Sequence, residues 1–314
     1  MYETLYIVKT NPFQIGQQPW LDYLFLRKNP VKMWLMRHGY FNSFNGVAAF
    51  ASARNAERRE QEKGERRPSI VELEAINEKK KHGIDFLTRF RQAQIDHPEF
   101  MTDFQVLAAS TSLVNAGSDT TAVSLSAVFY YLLKNPAVYT KLMAELDNAA
   151  ATDPASLFSK TTPDGEGLVS WAASQKLPYL DAVITEAFRL YPAVGLILER
   201  HVPPQGAVIC GERIPGGTIV GCNAWVLHRR PEVFGKDVDV YRPERWLEAD
   251  PTKLKEMRAT MFQFGAGART CIGRNISTLE IYKLIPTFLR TFEVSYFWAV
   301  CFLHCCVYVG ELAC

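Results

Sequence analysis

The chain has 314 residues, of which 48% are hydrophobic, and this is enough apolar material for one large domain or two smaller ones. Its formal net charge of +2 provides no overall field for nucleic acid, and no basic stretch is interleaved with aromatic residues. The seven cysteines do not form the spacing of a disulfide framework, which indicates a reducing compartment. We therefore expect a globular protein with no nucleic-acid partner.

Residues 1–50 are rich in aromatic side chains and predict parts of helices that cover a core, and a charged segment follows them. The first ten residues lack a basic segment followed by a long apolar run, so we expect neither a signal peptide nor a membrane anchor there. Residues 51–67 mix charges of both signs, which favours a solvated helix face leading into a mobile loop over a binding patch. Residues 85–91 predict a short amphipathic turn of helix.

Residues 102–134 form the longest helical candidate, with no proline inside and the breaker Asn135-Pro136 after them. The middle of this helix carries Gly117, Asp119 and Thr120 within otherwise apolar sequence. One interpretation is a kink, with hydroxyls bonded back to the helix and a packed glycine, and the segment taken alone favours it. The other is a buried polar notch, which is costly unless it performs chemistry.

The middle of the chain predicts a buried ion pair and a small sheet. A helix over 136–150 and a polar linker over 151–167 precede a helix over 177–191, where Glu186 and Arg189 lie on one face among apolar residues. Because a buried pair needs further partners, Arg245 in the later Pro-Glu-Arg-Trp loop is a candidate third member. Residues 194–226 predict short strands joined by glycine and proline turns, in which Arg200 has an ordinary interpretation as a strand-edge charge.

Residues 264–273 read Phe-Gly-Ala-Gly-Ala-Arg-Thr-Cys-Ile-Gly, which places Cys271 between a glycine-rich loop and an amphipathic helix. At the start of a helix, free N–H groups and the helix dipole favour a thiolate. The glycines would let a flat ligand approach the backbone, and Arg269 could pair with an anionic group on it. A thiolate that faces a planar dianionic cofactor indicates haem. The alternative is a buried structural cysteine in an ordinary loop before a helix.

The ten-residue stretch resembles the Phe-x-x-Gly-x-Arg-x-Cys-x-Gly haem-binding loop of the cytochrome P450 family. The matching residues are Phe264, Gly267, Arg269, Cys271 and Gly273. Three further motifs follow the order of that family: Ala-Gly-x-Asp-Thr-Thr in the long helix, Glu-x-x-Arg on a helix, and Pro-Glu-Arg-Trp in a loop. The resemblance is close over residues 100–295, looser before them, and greatest to fungal microsomal members.

The resemblance implies a mainly α fold with a small β-sheet, the C-terminal portion of the cytochrome P450 fold, with haem b (iron protoporphyrin IX) between the long helix and the cysteine helix. Cys271 would be the axial ligand of the iron. Asp119 and Thr120 would deliver protons to oxygen. The other cofactor-binding residues would be Arg200, Arg269, Phe264, Gly267, Gly273 and Gly117, with the two arginines pairing with the propionates and Gly117 leaving room for dioxygen. The structural triad that holds the cysteine loop would be Glu186, Arg189 and Arg245.

The implied activity is a haem-thiolate monooxygenase that inserts one atom of dioxygen into a small apolar organic substrate. Its electrons would come from NADPH through NADPH–cytochrome P450 reductase, and the protein would act as a monomer. The full-length family member would lie on the cytoplasmic side of the endoplasmic reticulum membrane, whereas this chain shows no anchor. The alternative is a non-catalytic truncated fragment that binds haem weakly or not at all.

The chain departs from the family pattern at both ends. We expect residues 1–295 to be a partial cytochrome P450 domain without its N-terminal part, and residues 296–314 to be a non-matching tail, as in a truncated gene product with an aberrant end. That tail contains Cys301, His304, Cys305 and Cys306. These residues lack a second spaced pair of ligands, so we do not expect a zinc site.

Overall fold

The computed structural model describes residues 46–61, 85–152, 157 and 167–297, together with the main chain of 306–311. The chain divides into two compact units, residues 1–115 and 116–314, and the boundary falls within the longest helix. The expectations for helices in residues 1–45, for the mobile loop after residue 61 and for the side chains of the cysteine-rich tail lie outside the described residues.

The first unit contains helices α1 (Gly46–Gln61) and α2 (Phe86–Asp96) and the beginning of α3 (Asp103–Lys134). Helix α2 is longer than the predicted turn. Its N-cap, Asp85, accepts a hydrogen bond from the backbone N–H of Thr88 at 2.8 Å and an ion pair from Arg58 at 2.7 Å. The charged face of α1 is exposed as predicted, while Ala51 is buried.

The second unit contains the rest of α3 and eight further helices among the described residues. They are α4 (Pro136–Thr152), α5 (Trp171–Ser174), α6 (Pro178–Leu190), α7 (Ala224–Leu227), α8 (Pro231–Phe234), α9 (Arg245–Glu248), α10 (Pro251–Thr260) and α11 (Arg274–Thr291). A short 3₁₀ turn covers Gly267–Arg269.

Short antiparallel strand pairs complete the second unit. The strands are β1 (Leu198–His201), β2 (Ala207–Ile209), β3 (Glu212–Ile214), β4 (Ile219–Cys222), β5 (Phe292–Phe297) and β6 (Cys306–Glu311). β1 pairs with β4, β2 with β3, and β5 with β6. In the first pair Arg200 lies opposite Val220, and the hairpin of β2 and β3 lies between those two strands in sequence. The prediction of a mainly α fold with small β-sheets is confirmed.

The main core of the second unit lies where α3, α4, α6 and α11 pack together. Its fully buried side chains include Val128, Leu132, Leu142, Leu146, Leu180, Ile184, Ile281 and Ile285. Full burial of one such side chain contributes about 1.5 to 3 kcal/mol, so these contacts hold the helices in place. A smaller cluster, formed by Ala182, Val233, Phe234, Trp246 and Met257, covers the opposite side of α6. Helix α6 is therefore packed between two apolar clusters.

Local sequence and a distant carboxylate together determine where α6 begins. Pro178 occupies the first turn, where a missing N–H costs nothing and φ is already suited to a helix. Glu145 from α4 then accepts hydrogen bonds from the backbone N–H groups of Tyr179 and Leu180, at 2.8 and 2.9 Å. These bonds satisfy amides that have no partner within the helix. In the part of the chain that the structure describes, no helix is long and apolar enough to cross a bilayer.

Candidate functional site

The cysteine loop, residues 262–273, joins α10 to α11 and closes on itself. The backbone N–H of Cys271 donates to the carbonyl oxygen of Phe264 at 2.8 Å, and that of Thr270 donates to Gly267 at 3.1 Å. Gly265 and Gly267 have φ of +69° and +67°, a left-handed conformation that favours glycine because it has no Cβ. The sequence therefore specifies a compact loop with Cys271 at its end.

Cys271 lies just before the amino end of α11, which begins at Arg274. The turn between them is closed by the backbone N–H of Arg274, which donates to the carbonyl oxygen of Cys271 at 3.4 Å. The thiol is free and exposed. The alternative interpretation of a buried structural cysteine is therefore wrong, because the thiol is held at the surface of the second unit.

Strand β1 borders the cysteine loop, and α3 contacts the helix that follows it. A Cβ built on Gly265 would lie 3.3 Å from the Cδ1 atom of Leu198, so β1 packs directly against the loop. The Oγ1 atom of Thr121 in α3 is 3.3 Å from the Oγ atom of Ser277 in α11. Strand β1 thus packs on the loop itself, and α3 on the first turn of α11 after it.

The polar segment of α3 differs from the expectation in one respect. Residues 115–120 are exposed, so the expectation of a buried polar notch is wrong. The physical reason is that the large apolar side chains that pack α3 into the core, such as Val128 and Leu132, lie further along the helix. The Oγ1 of Thr120 donates to the carbonyl oxygen of Ala116 at 2.7 Å, as the kink interpretation requires. Gly117 is not packed, because a Cβ built there would meet nothing within 4 Å.

The two arginines expected to bind carboxylates are both exposed. The Nη1 of Arg200 donates to the carbonyl oxygen of Glu199 at 2.7 Å, which leaves its other N–H groups available. Arg269 forms no hydrogen bond or ion pair with any described residue. The guanidinium groups of Arg200 and Arg269 can therefore each bind an anion without first breaking an ion pair.

Phe264 is half-buried and contacts the ring of Phe188 edge-on, with ring centroids 6.0 Å apart.

The side chains present at this region fit haem. The cofactor needs a soft anionic ligand, which the exposed Cys271 can provide, and cations for its two carboxylates. It also needs apolar surface, and Ile272 is 91% exposed while Leu196 and Ile197 are 51% and 55% exposed. Covering such surface is favourable by about 25 cal/mol per Å². Among the described residues there is no group of three or more His, Cys, Asp or Glu side chains that would form a separate metal site.

Glu186, Arg189 and Arg245 form one buried network. Glu186 and Arg189 are fully buried and Arg245 is 3% exposed. The Nε and Nη2 of Arg189 each donate to Glu186 at 2.9 Å, and the Nε of Arg245 donates to Glu186 at the same distance. Trp246 also donates its indole N–H at 2.9 Å, and the backbone N–H of Arg242 donates at 3.1 Å. The carboxylate therefore has the additional partners that a buried ion requires.

Asp237 extends this network toward the surface. Its carboxylate lies 3.1 Å from the Nη1 of Arg245 and 2.8 Å from the Nε of Arg242. Partial burial alone would raise the pKa of Asp237, but the hydrogen bonds from Arg242 and Arg245 outweigh it and lower the pKa to about 2. Arg245 thus has a carboxylate on each side.

His228 is a site residue that sequence reasoning misses. It is fully buried, and its two ring nitrogens lie 3.1 Å from the carbonyl oxygen of Arg189 and 2.7 Å from the backbone nitrogen of Phe262. The sequence contains no local signal for it, because a single histidine after a short apolar segment has many ordinary interpretations. Its partners are 39 and 34 residues away, and only folding brings them together.

Comparisons with known proteins identify the family. The cytochrome P450 family model matches residues 7–299. A cytochrome P450 monooxygenase of Aspergillus terreus is 42% identical over 289 residues, which cover 92% of this chain and 53% of that protein. The cytochrome P450 monooxygenase cicH of Emericella nidulans is 41% identical over 279 residues, or 89% of this chain and 50% of that protein.

A third relative, which aligns over a shorter part of the chain, is named after a substrate. A pisatin demethylase of Fusarium vanettenii is 45% identical over 182 residues, which cover 58% of this chain and 33% of that protein. The chain spans about half the length of the two Aspergillus terreus and Emericella nidulans relatives. The family match over almost the whole chain agrees with the resemblance carried by the cysteine loop, and this chain belongs to the cytochrome P450 family.

Proposed function

We propose that the protein is a haem-thiolate monooxygenase that inserts one oxygen atom of dioxygen into an apolar organic substrate. The observation that carries this proposal is the exposed thiol of Cys271 on a closed loop, in a chain of the cytochrome P450 family. Similarity to monooxygenases of two fungi supports the same reaction class.

The residues of this chain would hold haem b, iron protoporphyrin IX, in four ways. Cys271 would donate its thiolate to the iron, which enriches the cofactor in electron density. Arg200 and Arg269 would pair with the propionates through charge-assisted hydrogen bonds. Gly117 would leave space beside α3, since a Cβ there meets no atom within 4 Å. Gly267 and Gly273 would keep the loop backbone free of side chains. When bound, haem supplies the redox chemistry that activates dioxygen.

Asp119 and Thr120 would move protons at this site. Both are exposed and lie two and three residues after Gly117 in α3. The hydroxyl proton of Thr120 is directed to the carbonyl oxygen of Ala116, so the lone pairs of Oγ1 are free to accept a hydrogen bond from a proton donor. Asp119, one residue earlier, would exchange protons with solvent. Glu186, Arg189 and Arg245 would support the site rather than take part in chemistry.

The substrate class, electron source and location are also proposals. One of the relatives is named as a demethylase of pisatin, and we propose a small apolar organic substrate for this protein. Electrons would come from NADPH through NADPH–cytochrome P450 reductase, at the cytoplasmic side of the endoplasmic reticulum membrane, with the protein acting as a monomer.

The test is the absorption spectrum of the haem-reconstituted protein after reduction and treatment with carbon monoxide. We expect the wild-type protein to show the band of a thiolate-ligated haem and Cys271→Ala to lose it. The matched control is Cys222→Ala, which removes another free and exposed thiol in β4. An unchanged band in Cys271→Ala would refute Cys271 as the ligand. Failure of the wild-type protein to bind haem would favour a non-catalytic fragment.

A further inference from the structure

His228, at the carboxyl end of α7, connects two parts of the site that are far apart in sequence. Its ring Nδ1 lies 3.1 Å from the carbonyl oxygen of Arg189, in the last turn of α6. Its Nε2 lies 2.7 Å from the backbone nitrogen of Phe262, at the beginning of the cysteine loop. The connection to Arg189 is reciprocal, because the Nη1 of Arg189 donates to the backbone carbonyl of His228 at 3.0 Å.

The two contacts determine the tautomer of the ring. A backbone N–H can only donate, so the Nε2 that faces Phe262 must be unprotonated and must accept. The ring proton is then on Nδ1 and donates to the carbonyl oxygen of Arg189. Burial, with a smaller effect from the charges of Arg189 and Arg229, lowers the pKa of His228 to about 4 although hydrogen bonds to the backbone of Arg189 and Phe188 oppose the shift, so the ring is neutral.

Two backbone hydrogen bonds shape the chain between Phe262 and Cys271. The carbonyl oxygen of Phe262 accepts from the backbone N–H of Gly265 at 2.9 Å, which forms the first turn of the loop. The carbonyl oxygen of Phe264 accepts from the N–H of Cys271 at 2.8 Å. By fixing the amide of Phe262, His228 also fixes the turn at residues 262–265. This turn leads directly into the part of the loop that the Phe264–Cys271 hydrogen bond closes.

The buried triad does not make this connection itself. The hydrogen bonds that Arg189 and Arg245 form beyond Glu186 end on the carbonyl oxygens of His228, Phe234, Asp237, Val238 and Val240 and on the carboxylate of Asp237. Within the described chain, none of these bonds reaches residues 262–273. His228 is thus the hydrogen-bonded link between the triad and the loop.

We propose that His228 is a positioning residue, which fixes the cysteine loop relative to α6 and thereby sets the direction of the Cys271 thiol. This inference rests on the proposed function for its consequence at haem, but the positioning of the loop is a property of the protein alone.

Two substitutions separate the contacts of the ring. Glutamine reaches as far as Nε2, and its amide oxygen can accept from Phe262, whereas asparagine reaches only as far as Nδ1 and can donate to Arg189. Each variant loses one buried hydrogen bond of the same kind, so a general loss of stability should be similar in both. His228→Asn alone leaves the loop amide without a partner.

We expect His228→Asn to differ from His228→Gln at the loop. In full-chain protein, amide hydrogen exchange over residues 262–273 should be about tenfold faster in His228→Asn than in His228→Gln, from the loss of one buried hydrogen bond. After reconstitution with haem, the asparagine variant should release haem faster and show a smaller share of thiolate-type band with carbon monoxide. The glutamine variant should stay close to wild type in both measurements.

Equal exchange and equal spectra in the two variants, or equal failure of both to fold, would overturn the proposal and make His228 a general core residue. The outcome for the proposed function is separate. If the wild-type protein shows no thiolate-type band, the proposed function fails, while the exchange measurement still decides whether His228 positions the loop.

Discussion

Removal of the Glu186 carboxylate is the sharpest test of the buried network. Glu186→Ala leaves Arg189 and Arg245 buried without the carboxylate between them, and breaking a buried pair from one side costs roughly 3 to 5 kcal/mol. Arg245 keeps Asp237 at 3.1 Å, whereas the remaining partners of Arg189 are carbonyl oxygens. The cost therefore falls mainly on Arg189, and we expect about 4 kcal/mol, a large part of the 5 to 15 kcal/mol that stabilise most proteins.

The assay is urea unfolding followed by circular dichroism, with the melting temperature as a second measure. A loss of this size should lower the melting temperature on the order of 10 °C. Glu186→Gln should lose nearly as much, because both carboxylate oxygens accept from N–H donors and the new NH₂ group would face one of them. The control is Glu256→Ala, whose exposed pair with Lys253 is worth about 0 to 1 kcal/mol. Equal stability of Glu186→Ala and Glu256→Ala would refute the reasoning.

Three further predictions address the site. In a full-length version of the protein, the proposed function predicts that Thr120→Ala retains haem but diverts reducing equivalents to hydrogen peroxide, and an unchanged ratio of product to NADPH consumed would exclude Thr120 from proton delivery. The folded-state pKa of His228, about 4, lies below the ordinary 6.5, so the unfolded chain takes up the proton first and stability should fall as pH drops from 6.5 to 4. Between these two pH values, protonation of His228 in the unfolded chain should lower the free energy of unfolding by about 3 kcal/mol. His228→Gln should remove this part of the pH dependence when both proteins are unfolded with urea at each pH. Gly265→Ala should lower the free energy of unfolding by about 1 kcal/mol or more, because φ is +69° and Leu198 lies 3.3 Å from the added carbon. The control is Gly211→Ala, where φ is +86° and the added carbon meets no atom within 4 Å, so its loss of stability measures the cost of the backbone conformation alone.

The sequence alone predicts the elements whose causes are local. The apolar spacing over residues 177–191 predicts α6 to within a residue at each end. The glycines around Cys271 predict a loop before α11, and the order of the four motifs is enough to indicate the family. These features depend on residues close in sequence, where backbone preference and side-chain period act directly.

Only the tertiary structure decided which distant groups meet. The polar segment of α3 is exposed, contrary to expectation, because burial depends on what packs against a helix and not on the composition of the helix. The cap that Glu145 places on α6 and the link that His228 forms from Arg189 to Phe262 join residues more than thirty positions apart. A hydrogen bond between such residues exists only after the chain between them has folded, so no local pattern in the sequence encodes it.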